Sequence, residues 1–150
     1  MTYIDFYFNV ENKFNKIHEI IEREIFRKRK IFIHVDDLSS AKTLSDFLYT
    51  TSHTSFLPHS LGCHEEITLI HIDWDHKFVS DDFMINLKSD ISPSFSRYLR
   101  LIEIVSQNEE DKKTARDRLK FYRDRGYEIQ LIDATKEMYL TSKFAVSKRV

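Results

Sequence analysis

The chain is poor in the residues that make tight turns and cross-links. It holds two glycines, two prolines and one cysteine in 150 residues. The lone cysteine, Cys63, cannot close an internal disulfide, which suits a reducing compartment. Phosphate cradles need glycines, so that backbone amides can approach the phosphate with no Cβ in the way. Here neither Gly62 nor Gly126 follows the first strand, and the turn Asn9-Val10-Glu11-Asn12 carries no G-x-G-x-x-G and no P-loop. No apolar run approaches the roughly 20 residues that span a bilayer. No secretory leader is expected either, because residues 1–8 already read as a strand with Asp5 inside it. A cytoplasmic location follows as the expectation. A large excess of charge is also missing. A net charge of −1 gives no warrant for strong duplex binding, which usually shows as a basic domain.

What is present is an ordinary globular composition, 41% hydrophobic and 31% charged, at the size of one domain. Tyr3 to Phe8 reads as an aromatic-rich strand. Asn12 can cap a helix whose apolar positions Phe14, Ile17, Ile21 and Ile25 recur at helical spacing, and which ends in the basic run Arg27–Lys30. Ile31 to Val35 reads as a second strand. Ser39 can cap a helix that turns Ala41, Leu44, Phe47 and Leu48 inward. Residues 50–66 read as loop. Further strands are expected at 67–72, 83–87, 101–105 and 127–132. A short helix is expected to start at Ser92-Pro93-Ser94 and run through Tyr98, and a long one from Asn108 or Glu109 to Arg125, with Gly126 in the terminating position. Alternating strands and helices predict an α/β, Rossmann-like single domain. It should hold a mainly parallel sheet of about six strands flanked by helices, with no nucleotide-binding loop. Residues 1–133 form that domain, and 134–150 read as a peripheral tail.

Three clusters invite a chemical reading and do not sustain it. His71-Ile72-Asp73-Trp74-Asp75-His76 holds two His and two Asp, with His71, Asp73 and Asp75 on one face of a strand. A zinc site wants three or four convergent donors, so this reads as a strand running into a polar turn. Cys63 and His64, with His59 nearby, lack the pattern of a nucleophile and its base. The Arg27–Lys30 run reads as a solvated helix end. No nucleophile elbow and no zinc-protease helix is present. No catalytic, cofactor-binding or metal-binding residue is therefore assigned.

The long helix near the end of the chain is more informative. Residues 111–125 hold seven Lys or Arg against three Asp. At 100° per residue Lys112, Arg116, Lys120 and Arg123 fall in one stripe, with Lys113 at its edge. Ala115, Leu119 and Tyr122 form the neighbouring apolar face. Like charges four residues apart repel in an isolated helix. The stripe is a solvated face balanced by Asp117 and Asp124, a phosphate-backbone contact, or a dock for an acidic peptide with one apolar anchor.

Several segments together resemble the chi subunit family of bacterial DNA polymerase III. They are Ile4-Asp5-Phe6-Tyr7-Phe8-Asn9, Ser55-Phe56-Leu57-Pro58-His59, Leu101-Ile102-Glu103-Ile104-Val105 and the run from Ala115 to Tyr127. The resemblance implies a Rossmann-like fold without a nucleotide site and no intrinsic activity. It implies an accessory role in a nucleotidyltransferase complex. The expected partners are the psi subunit, which tethers chi to the clamp loader, and the acidic, phenylalanine-terminated tail of single-stranded DNA-binding protein. Contact with nucleic acid is then mainly indirect. The resemblance assigns the tail to Lys112, Arg116, Leu119 and Lys120, to which the helical wheel adds Arg123. It assigns the psi-facing surface to Tyr49 and Phe56. Tyr49 stands where the family carries Trp, and Leu119 where it carries an aromatic. A direct nucleic-acid-binding module using residues 109–125 is the alternative.

Overall fold

Strands that are apolar on both faces need a cover on both faces, and this chain supplies one for each. The computed structural model describes residues 2–51, 59–62, 69–74, 82–135 and 138–139. The order is β1 (Tyr3–Val10), α1 (Lys13–Phe26), β2 (Ile31–His34), α2 (Leu38–Thr51), β3 (His59–Leu61), β4 (Ile70–Asp73) and β5 (Phe83–Asn86). A 3₁₀ turn (Phe95–Arg97) follows, then β6 (Arg100–Ser106), α3 (Glu109–Asp124), β7 (Glu128–Asp133) and β8 (Met138–Tyr139).

The eight strands form one sheet in the order β3-β4-β2-β5-β6-β1-β7-β8. Every neighbouring pair is parallel except β7 with β8. The α/β, mainly parallel expectation holds, with two more strands than expected. Both extra strands lie at edges and are short, as edges of an open sheet usually are. The three-residue β3 falls inside the stretch read as loop, where too few residues alternate for a strand to show. The two-residue β8 falls inside the stretch read as tail.

One core lies between the sheet and helices α1 and α2. Ile17, Ile20 and Ile21 of α1 and Leu44 and Leu48 of α2 pack there on Ile31, Ile33, Ile72 and Ile104. The other core lies between the sheet and α3, where Ala115 and Tyr122 meet Ile4, Phe6, Met84 and Leu101. Burying each such side chain stabilises the fold by roughly 1.5–3 kcal/mol against leaving it in water.

Local capping fixes where the helices begin. The Asn12 side chain accepts from the Asn15 amide (3.2 Å), as expected for α1. For α2 the cap is Asp37, not Ser39: its Oδ1 accepts from the Ser40 amide at 2.8 Å, and its carbonyl accepts from Ala41. That bond holds the Asp37 carboxyl below its usual range. Either residue suits a cap by type. The Asp wins because β2 ends at His34, which leaves room to start the helix two residues earlier than expected.

α1 ends in a left-handed residue, Lys28 (φ 58°), where glycine is usual. The Arg29 amide donates to the Glu24 carbonyl and the Lys28 amide to that of Ile25, which closes the terminus. α3 ends in Gly126 (φ 81°), as its position in the sequence suggests.

Candidate functional site

In a parallel sheet all carboxyl ends share one rim. At that rim β6 hands the chain to α3, which crosses over β1 to reach β7. The start of α3 is heavily specified. Asn108 Oδ1 accepts from the amides of Glu110 (2.8 Å) and Asp111 (3.3 Å). Asp111 Oδ2 reaches back to accept from the Ser106 amide (2.8 Å) and pairs with Lys13 Nζ (2.9 Å), which ties α3 to α1. Burial would raise the Asp111 carboxyl, but Lys13 and the Ser106 amide outweigh it and hold it below its usual range. Three acids, Glu109, Glu110 and Asp111, sit at the positive end of the helix dipole.

The inner face of α3 carries a feature that the helical wheel passed over. Arg118, counted among the basic residues of this helix, is 4% exposed and points into the core. Its Nε donates to Glu103 Oε1 (3.1 Å) and its Nη1 to the Ser89 carbonyl (2.8 Å). Glu103 also accepts from Tyr122 Oη (2.7 Å) and Asn86 Nδ2 (3.0 Å). Burial raises the Glu103 carboxyl, and Arg118, Asn86 and Tyr122 oppose that rise. Tyr122 is pushed up in turn, by burial and by Glu103. The network bolts α3 to β5 and β6. A signal for it exists in the sequence: Arg118 lies between Ala115 and Tyr122 on the inward stripe, and Glu103 interrupts the run Leu101-Ile102-Glu103-Ile104-Val105. Two inward charges of opposite sign are a pair in waiting.

With its inner face fixed, α3 leaves a cleft of about 330 Å³ against the sheet. Its apolar walls are Phe6, Phe8, Val105, Ala115, Leu119 and Leu131. Lys112 and Arg116 line it from the helix, and Asn9 and Ser106 from the strand ends. Asn9 adopts the left-handed conformation (φ 58°) at an irregularity between Tyr7 and Val10 in the pairing of β1 with β6. The volume is at the low end for small-molecule pockets, enough for one or two side chains.

Of the residues singled out on the stripe, the cleft brings together Lys112, Arg116 and Leu119. Lys120 and Arg123 are exposed further along the helix and do not line it. Lys112 Nζ lies 3.7 Å from Glu109 Oε1. Among the described residues Arg116, Lys120 and Arg123 have no ion-pair partner within 4 Å, so Asp117 and Asp124 do not neutralise them. The arrangement can hold carboxylates beside a buried apolar side chain.

Tyr49 lies near the end of α2, 56% exposed, with its ring 4.7 Å from that of His59. His59 Nε2 is 2.7 Å from Ser45 Oγ. Phe56, Cys63, His64, Asp75 and His76 lie outside the described residues. His71 Nε2 and Asp73 Oδ2 are 3.1 Å apart and buried, on one face of β4 as the alternation predicts. Among the described residues no three His, Cys, Asp or Glu converge to hold a metal ion. No helix among them is long and apolar enough to cross a membrane.

Comparison with known proteins gives two results. A profile of the family described as DNA polymerase III chi subunit, HolC, matches residues 1–130. The DNA polymerase III subunit chi of Pseudomonas aeruginosa is 23% identical over 139 residues, spanning 87% of this chain and 95% of that protein.

Proposed function

The chain belongs to the DNA polymerase III chi subunit family, and from that premise we propose a non-catalytic adaptor whose α3 cleft captures the acidic C-terminal tail of single-stranded DNA-binding protein. The observation that carries the reading is the cleft itself, an apolar notch beside which Arg116 is exposed and, among the described residues, without an ion-pair partner. The terminal phenyl ring of the tail enters between Phe8, Leu119 and Leu131. Lys112 and Arg116 take the nearest carboxylates through charge-assisted bonds, and Lys120 and Arg123 take those further back. Leu119 gives this notch less ring area than an aromatic would. The psi subunit contacts Tyr49 and Phe56, the residues that the family resemblance assigns to it, and through it the chain joins the clamp loader. The chain works in the cytoplasm and has no activity of its own.

Calorimetry with a short acidic peptide ending in Phe tests the cleft. Arg116→Ala and Lys120→Ala should each weaken binding by about two- to ten-fold, and added salt should weaken it further. A peptide without its final Phe should lose roughly ten-fold or more, the worth of burying that side chain. Absence of binding at low salt, or an affinity indifferent to salt, sinks the reading. Tight oligonucleotide binding that Arg116→Ala abolishes would instead favour a nucleic-acid contact through α3.

A further inference from the structure

The amino ends of the strands share the rim opposite the cleft, and there the fold gathers cations around protruding apolar side chains. α1 ends on Phe26, which is 91% exposed. Such a ring adds nothing to the core, so folding gives no reason for an aromatic at this place. Arg27, Lys28, Arg29 and Lys30 follow it, all exposed. Arg27 keeps a long contact of 3.8 Å with Glu24, and the Arg29 guanidinium lies 5.6 Å from the Phe83 ring. Among the described residues Lys28 and Lys30 have no ion-pair partner.

Hydrogen bonds join this turn to the starts of the next strands. The Lys30 amide donates to Asp82 Oδ2 (3.0 Å), and the Asp82 carbonyl accepts from the amides of Leu99 (3.0 Å) and Arg100 (3.2 Å). The Leu99 carbonyl accepts from Tyr3 (2.9 Å). Leu99 is 52% exposed and Tyr3 45%, with Arg100 stacked 5.6 Å from the Tyr3 ring and paired to Asp5. At about 4.8 Å per strand the platform from Lys30 to Tyr3 crosses roughly 15 Å. Among the described residues Asp82 and the Arg100-paired Asp5 are acids within it, and Glu128, opposite Tyr3 in register, marks its edge.

We infer that this amino-end rim binds single-stranded nucleic acid, with Phe26 as the stacking ring and Arg27, Lys28, Arg29 and Lys30 as phosphate contacts. The cleft at the other rim receives a side chain, whereas this rim projects one. A ring with both faces in water suits an unpaired base, which offers a π-face whatever its sequence. An acidic peptide would need a notch for its anchor, and the described residues here form a projecting face. Four cations in succession suit a backbone that carries one charge per nucleotide.

The test is fluorescence anisotropy of a labelled single-stranded oligothymidine against the full chain at low salt. Binding is expected, with a log–log salt slope of roughly −3 for four phosphates on a single strand. Phe26→Ala should weaken it about five-fold or more, and the double variant Lys28→Glu/Lys30→Glu more than that. All three positions are exposed, so thermal melting should be unchanged. The same variants should bind the acidic Phe-ended peptide as the parent does, which separates this inference from the cleft. No oligonucleotide binding at low salt overturns it. So does binding that survives both variants, binding lost on Arg116→Ala alone, or equal affinity for a duplex of the same length. Loss of acidic-peptide binding in the rim variants would make the rim a peptide surface and overturn it as well.

Discussion

Arg118 and Lys120 stand two residues apart on one helix and do opposite things. Lys120 is exposed and free to meet an anion, while Arg118 is spent on Glu103 inside the core. Removing one partner of such a pair leaves a buried charge uncompensated, so Arg118→Ala should cost about 3–5 kcal/mol in urea denaturation at neutral pH. The double variant Arg118→Met/Glu103→Leu should cost less than the two single changes together. The pH dependence has a definite sign. Burial raises the folded-state carboxyl of Glu103, so the native chain binds more protons than the unfolded one, and the stability this contributes falls as pH rises. Without Arg118 the rise is larger, so the deficit of Arg118→Ala should shrink as the buffer is acidified toward the point where Glu103 is neutral. A deficit that stays constant from neutral pH to pH 4 would place its origin in packing. The helical wheel of α3 alone does not give the pair, because it sorts side chains by angle and does not know that a strand has buried a glutamate opposite; Glu103 inside an apolar strand run is the signal that completes it.

At the scale of elements, the start of α3 decides where its cations point. Asn108→Ala should cost about 1 kcal/mol, the ordinary worth of an N-cap, and should fray the turn that carries Lys112. Asp111→Asn should cost roughly 1–2 kcal/mol at pH 7 by weakening the bonds to Ser106 and Lys13. Here the folded carboxyl lies below its unfolded value near 3.9. Its contribution is complete above that value and lost as pH falls through the folded one. Parent and Asp111→Asn melting curves should therefore converge once the pH has fallen below the folded carboxyl's lowered value. The cap at Asn12 and the terminating Gly126 were legible because type and position agree, and the start of α3 was legible as Asn108 or Glu109, with the cap itself set by Asn108. Ser39 was not, since Asp37 offers the same chemistry two residues earlier and only the end of β2 decides between them. β3 and β8 are too short for a period of two to appear.

For the whole molecule, the parallel sheet separates two surfaces by the length of a strand. β1 has eight residues, so the rims lie about 25 Å apart, several screening lengths at physiological salt. Oligonucleotide titrations with and without saturating acidic peptide should give affinities within two-fold of each other; a larger shift would mean that the rims communicate. Fold class was legible from the alternation of strand and helix patterns, and the exposed cations of α3 from their helical spacing. The cleft was not, because it needs Phe6, Phe8 and Leu131 from strands whose neighbours in space are far apart in sequence. That separation also sets a clock. β1 leaves the ribosome before the other described strands, yet Tyr3 pairs with Arg100 and Glu128. At about 5–20 residues per second the N-terminal strand waits on the order of 5–20 s for its first neighbour. Until then Phe6 and Phe8 lack Leu101, Ala115 and Tyr122 to pack on, so the cleft and the face that backs it are completed together at the end of synthesis.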